Sequence, residues 1–127
     1  MNTRAILLAV LLVSTAPALF AGNESFLKDT PLAALNDEDR ELQRQAAFAV
    51  LDAENAMSSK EWKNPQTGAW GEIRGLGNYR SEDGLHCRKI KIFTEAESMK
   101  YESTFPVCKT PAGEWMFASG KKLTKAS

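Results

Sequence analysis

The sequence predicts an α+β fold: one N-terminal amphipathic helix packed on a twisted antiparallel β-sheet of four to six strands, with a single disulfide. Three observations predict it. Apolar residues recur at helical spacing between Asn36 and Ser58. From Trp62 onward, short strand-like runs alternate with glycine and proline punctuation. The only two cysteines, Cys87 and Cys108, stand near the outer ends of Leu85 to Lys109, two strand-like halves around the polar segment Glu95 to Ser98.

Met1 to Ala21 has the form of a signal peptide, with Arg4 and the amino terminus as its positive region and Ala5 to Val13 as its apolar run. Ala16 with Ala18, or Leu19 with Ala21, offers the cleavage site. The run is too short for a hydrocarbon layer that needs about 20 apolar residues. Neither site is followed by a cysteine, so no lipid anchor is expected, and the mature chain belongs in the periplasm or outside the cell. Roughly 100 residues then remain, enough for one domain with a small core. Two cysteines in an exported chain read as one disulfide, whose closed loop contributes about 3 kcal/mol in the chain-entropy account. With 16 basic and 16 acidic residues the chain lacks the basic excess of a nucleic-acid binder.

Residues 22–36, with Pro31 and scattered Phe26, Leu27, Leu32 and Leu35, read as an extended arm, and 37–120 as one α+β domain. Asn36 is placed to cap a helix, followed by Asp37, Glu38 and Asp39 at its positive end. The helix is expected to reach about Ser58. Leu42, Ala46, Ala49, Val50, Ala53 and Met57 form its apolar stripe, while Phe48 and Leu51 point away, covered by the arm or forming a patch for a partner.

Trp62–Lys63 and Ala69–Arg74 flank the turn Asn64 to Gly68. Gly75 and Gly77 bracket a second break, and Tyr79 and Arg80 start a strand that Asp83 and Gly84 reverse. Facing Cys87 with Cys108 puts the next turn at Glu97 and Ser98. It also sets Ile90 opposite Phe105 and Arg88 opposite Val107 on one apolar face, with Ile92 and Tyr101 nearby. Cys87, Lys89, Lys91, Glu102, Thr104 and Cys108 take the other, wet face. Thr110, Pro111, Ala112, Gly113 and Glu114 suit a three-residue loop with a glycine bulge, which pairs Val107 with Phe117 and brings Trp115 and Phe117 to the apolar side. Pro106 implies a bulge or an edge. Residues 121–127 are expected to fray.

Trp62, Asn64, Pro65, Thr67, Gly68 and Gly71, then Tyr79, Gly84, Cys87 and Arg88, then Cys108, Gly113 and Trp115 form an ordered set. In it the chain resembles the carboxy-terminal domain of the rickettsial seventeen-kilodalton surface-antigen family of bacterial envelope proteins. The resemblance runs from about Asp52 to Met116, and the alanine-rich helix before it is similar too. Many members of that family are lipoproteins with a glycine-zipper segment; this chain has neither the lipidation cysteine nor glycine spacing in its helix. The resemblance therefore implies an envelope or surface-antigen role without an assigned chemistry.

Candidate chemistry is sparse, and neither a cofactor nor a metal site is expected. His86 is the one histidine, and on a strand it faces away from Cys87, so the two form no nucleophile–base pair. Glu72, Asp83 and Glu102 are the carboxylates from which an acid–base pair could be drawn. Trp70 shares a strand face with Glu72 and Arg74; if Ala69, Gly71 and Ile73 face the core, it is an exposed anchor for a protein or glycan.

The leading expectation is a monomeric, non-enzymatic exported surface-antigen-like protein that acts by binding an envelope protein or glycan, with Asn64, Pro65 and Trp70 as candidate contacts. The alternatives are an inhibitor of a protease or lysozyme that inserts the loop Asn64 to Thr67, and a small carboxylate-dependent hydrolase.

Overall fold

A computed structural model describes residues 31–126. The signal-peptide segment and most of the arm lie outside the described residues. A 3₁₀ turn, Pro31–Ala34, leads into helix α1, Asp37–Leu51. Six strands follow: β1 (Ser59–Lys63), β2 (Trp70–Ser81), β3 (His86–Ala96), β4 (Met99–Lys109), β5 (Trp115–Phe117) and β6 (Leu123–Lys125). They form one antiparallel sheet in the order β1-β2-β3-β4-β5, with β6 paired to the far end of β2.

The helix starts where the sequence places it. Asn36 accepts from the Asp39 N–H at 2.8 Å, and the Asp39 carboxylate accepts from the Asn36 N–H at 3.0 Å, a reciprocal capping box. It ends earlier than expected, at Leu51 rather than Ser58. The cause lies far along the chain: the buried Arg88 donates to the carbonyls of Val50 and Leu51 at 3.0 and 2.9 Å and to Asn78 Oδ1 at 3.0 Å. A guanidinium at the negative end of the helix satisfies carbonyls that have no helical partner. Leu51, expected to point away, is buried, whereas Phe48 is exposed and Met57 lies beyond the helix.

The helix covers one face of the sheet. Leu35, Ala46, Val50 and Leu51 pack there against Trp62, Ala69, Ile73, Ile90, Ala96 and Val107. The β3–β4 register is the expected one: Cys87 faces Cys108, Ile90 faces Phe105, Arg88 faces Val107, and Glu97 and Ser98 take the left-handed turn. Cys87 and Cys108 are joined, with Cα atoms 4.0 Å apart. The glycine-bulge loop is also present, with the Thr110 N–H donating to Glu114 O and Val107 facing Phe117. Phe117 reaches the helix side, stacking on Phe105 at 5.5 Å, yet is 63% exposed, because the helix does not extend so far.

Three expectations are corrected. Gly75 and Gly77 do not break the chain; β2 runs through them with a bulge between Gly75 and Asn78. There the segment linking helix to β1 comes against the sheet: the Gly75 N–H donates to Ser58 O and the Gly77 N–H to Ala56 O. A Cβ on Gly75 would stand 2.1 Å from Ala56 O, so only glycine admits that approach. Pro106, expected at a bulge or an edge, stands at an edge and causes no register shift. The narrow Cys87–Cys108 pair is a non-hydrogen-bonded one, so by alternation the Pro106 nitrogen points away from β3, where β5 has ended. Of the tail expected to fray, Leu123–Lys125 pair with Tyr79–Ser81, while Ser127 lies outside the described residues. Lastly, the disulfide face is not wet throughout. Ala118 and Leu123 cover the disulfide together with Tyr79 and Leu85, making a second, smaller core.

Candidate functional site

The sheet face opposite the helix is open at the end away from the disulfide. Strand alternation and register fix what it carries: Lys63, Trp70, Glu95 and Lys100 in one cross-strand row, Glu61, Glu72, Phe93 and Glu102 in the next, and Arg74, Lys91 and Thr104 in a third. Trp70 and Phe93 form a tilted aromatic pair with centroids 5.1 Å apart. Around it is a depression of about 300 Å³ bounded by Glu61, Glu72 and Glu102 with Arg74 and Lys91. Arg74 pairs with Glu72 at 2.8 Å and Lys91 with Glu102 at 3.3 Å. A second hollow of about 340 Å³ adjoins it at the β1 edge, lined by Trp62 and Lys63 besides Glu61 and Trp70.

Trp70 is there because Ala69, Gly71 and Ile73 are buried on the helix side. Gly71 enforces this arrangement. A Cβ at that position would stand 2.3 Å from Phe93 O and 2.6 Å from Trp62 Nε1, so the missing side chain leaves room for the buried Trp62 against the sheet.

The loop Asn64 to Thr67 has a different character. Asn64 is fully buried, which corrects its expected role as a partner contact. Its Nδ2 donates to Asp39 Oδ1 at 2.7 Å, its Oδ1 accepts from the Gln66 N–H at 3.0 Å, and the Thr67 hydroxyl donates to the same Asp39 oxygen at 2.8 Å. Asp39 thus ties the loop to the first turn of the helix. Burial raises the pKa of this carboxyl, but the bonds from the Asn36 backbone, Thr67 and Asn64, with the Arg40 charge, outweigh it and hold the pKa below the ordinary 3.8. Pro65 and Gln66 remain exposed at the tip.

The candidate carboxylates are only partly brought together. Glu72 and Glu102 border the same depression, each engaged by its own cation, while Asp83 sits in the β2–β3 turn bonded to Ser81 and Lys121. His86 meets Trp115 at a tilt, with ring centroids 5.8 Å apart. Partial desolvation, then repulsion from Arg88, Arg80 and Lys109, pushes its pKa below the usual histidine value. Phe93 is the main residue that sequence reasoning missed. The same period of two that placed Lys89 and Lys91 on this face would have found it.

The family described as 17 kDa outer membrane surface antigen matches residues 49–116, more than half of the chain. The chain belongs to this family. Its match takes in β1 to β4 and the start of β5, and hence the disulfide, the buried Asn64 loop and the aromatic face. The 17 kDa surface antigen of Rickettsia bellii is 25% identical over 83 residues, 65% of this chain and 52% of the relative. That of Rickettsia conorii is 25% identical over 81 residues, 64% and 51% respectively. The chain thus spans about half the length of these relatives. No solved structure matches it significantly. Among the described residues, no helix is long and apolar enough to cross a membrane.

Proposed function

We propose that this surface-antigen-family protein is exported by a cleaved signal peptide to the periplasm or beyond and works there without catalysis, by binding a protein or glycan of the envelope through the open face of its sheet. One observation carries the reading: Trp70 and Phe93, two large rings in contact, lie on the face the helix leaves uncovered, inside a frame of both charge signs. Aromatic rings bordered by fixed charges suit a contact that is apolar at its centre and polar at its rim.

The test places a photo-crosslinking benzoylphenylalanine at Trp70, and separately at Glu41 on the outer side of the helix, in intact cells. Adducts from position 70, seen as a protein mass shift or as retention in the cell-wall fraction, are expected, with none from position 41. Equal yields from both positions, or none from position 70, would remove the open face as the contact surface.

The rigid tethering of the Pro65–Gln66 tip by Asn64 and Thr67 favours a second reading, a hydrolase inhibitor that inserts this tip. It predicts tight binding to a protease or lysozyme that is lost on replacing Pro65 and Gln66 together.

A further inference from the structure

The outer edge of β4 is unpaired among the described residues from Met99 to Phe105, because β5 reaches only Val107, Cys108 and Lys109. The ladder phase fixes which groups this edge offers. Cys87 and Cys108 form a narrow, non-hydrogen-bonded pair, so the even-numbered residues of β4 turn their N–H and C=O groups away from β3. Two bonds at the loop end agree: Pro106 O accepts from the Ala118 N–H, and the Thr110 N–H donates to Glu114 O. Lys100, Glu102 and Thr104 therefore present free main-chain groups, and the side chains of all three lie on the open face.

An unpaired edge of this length is a template for another strand. We infer that the partner is a second copy of this chain, paired antiparallel, β4 to β4, about a two-fold axis at Tyr101. In that register Lys100 of each copy exchanges main-chain hydrogen bonds with Glu102 of the other, and their opposite charges meet across the strands twice. Lys100 has no ion pair among the described residues, and Glu102 reaches only Lys91, at 3.3 Å. On the helix face the same register sets Tyr101 against Tyr101 and the exposed Met99 against Ser103. The neighbouring symmetric registers are worse. An axis at Glu102 opposes two carboxylates, and one at Ser103 sets Lys100 against Pro106, which has no N–H to give. The β1 edge offers only five residues, Ser59–Lys63, so β4 is the longer template.

The interface is small, so the dimer is a reversible one, with Kd in roughly the micromolar to millimolar range. It would set the two open faces side by side in one continuous sheet.

Sedimentation equilibrium of the mature chain over a concentration series tests this. The wild type is expected to dimerise, with K100E and E102K each weakening association about tenfold or more and the K100E/E102K double reversal restoring it. Tyr101→Cys is expected to form an intermolecular disulfide under mild oxidation, whereas Thr104→Cys, off the axis, is not. A wild type that stays monomeric to millimolar concentration, single reversals without effect, or equal cross-linking from both cysteines would overturn the inference.

Discussion

Asp39 carries more of the fold than its place in a first helical turn suggests. One carboxylate completes the helix cap and holds both Asn64 and Thr67, joining the first helical turn to one loop through residues 25 and 28 positions further along the chain. Asp39→Ala leaves the buried Asn64 amide without its acceptor and removes the acceptor of the Asn36 N–H at the helix cap, and should cost about 2–4 kcal/mol, read as a fall in urea midpoint. Asp39→Asn, which keeps the shape, should cost less. The carboxyl also makes stability depend on pH. Its folded-state pKa lies below the ordinary 3.8, so on acidification the unfolded chain takes up this proton first. The contribution is complete above the unfolded value and is lost as pH falls through the folded one. Stability of the wild type should therefore decline more steeply below about pH 4 than that of Asp39→Asn. Parallel pH profiles would show that acid sensitivity arises elsewhere. The same bonds account for two members of the ordered set: Asn64 and Thr67 hold a buried carboxylate that no local pattern reveals, which is why Asn64 reads as a surface contact in the sequence.

Where an element begins was legible, and where it ends often was not. The Asn36 cap and the Thr110–Glu114 bulge are set by residues within four positions of one another, and the Glu97–Ser98 turn follows from facing the only two cysteines, so the sequence displays all three. The end of the helix depends on Arg88, the continuity of β2 on the segment around Ala56, and the β6 pairing on Tyr79. None of these can be seen without the folded chain. Two substitutions test these long-range terminations. Arg88→Met strips the helix end of its partner and leaves two carbonyls unbonded; a loss of about 2–4 kcal/mol is expected, with faster hydrogen exchange at Asp52, whose N–H bonds to Phe48 O. Arg88→Lys should recover part of the loss, because the charge at the helix end remains while the forked geometry does not. Gly75→Ala forces a methyl to within 2.1 Å of Ala56 O, and should cost about 2–3 kcal/mol by moving the linker off the sheet. If Gly75→Ala is neutral, the linker yields freely and the bulge in β2 has another cause.

For the molecule as a whole, the question is how the disulfide stabilises it. The bond spans a sequence separation of 21 and joins facing rungs of a ladder that is already complete, so it adds no new packing between strands. The chain-entropy account assigns it about 3 kcal/mol through the unfolded state, worth roughly 10 to 20 °C in Tm for a domain of this size. Packing offers a different source: the two sulfurs are buried beneath Ala118 and Leu123, and β6 is held partly by that contact. The two accounts divide on kinetics. Replacing Cys87 and Cys108 with alanine should slow refolding if the bond acts by restricting the unfolded chain, and speed unfolding if its worth lies in the small core under the C-terminal strand. Since β3 and β4 keep a long ladder and a shared apolar face without it, the loss is expected mainly in the refolding rate measured by stopped-flow fluorescence. A loss found mainly in unfolding, accompanied by early exchange of the Lys125 and Ala126 amides, would instead make the disulfide the anchor of β6.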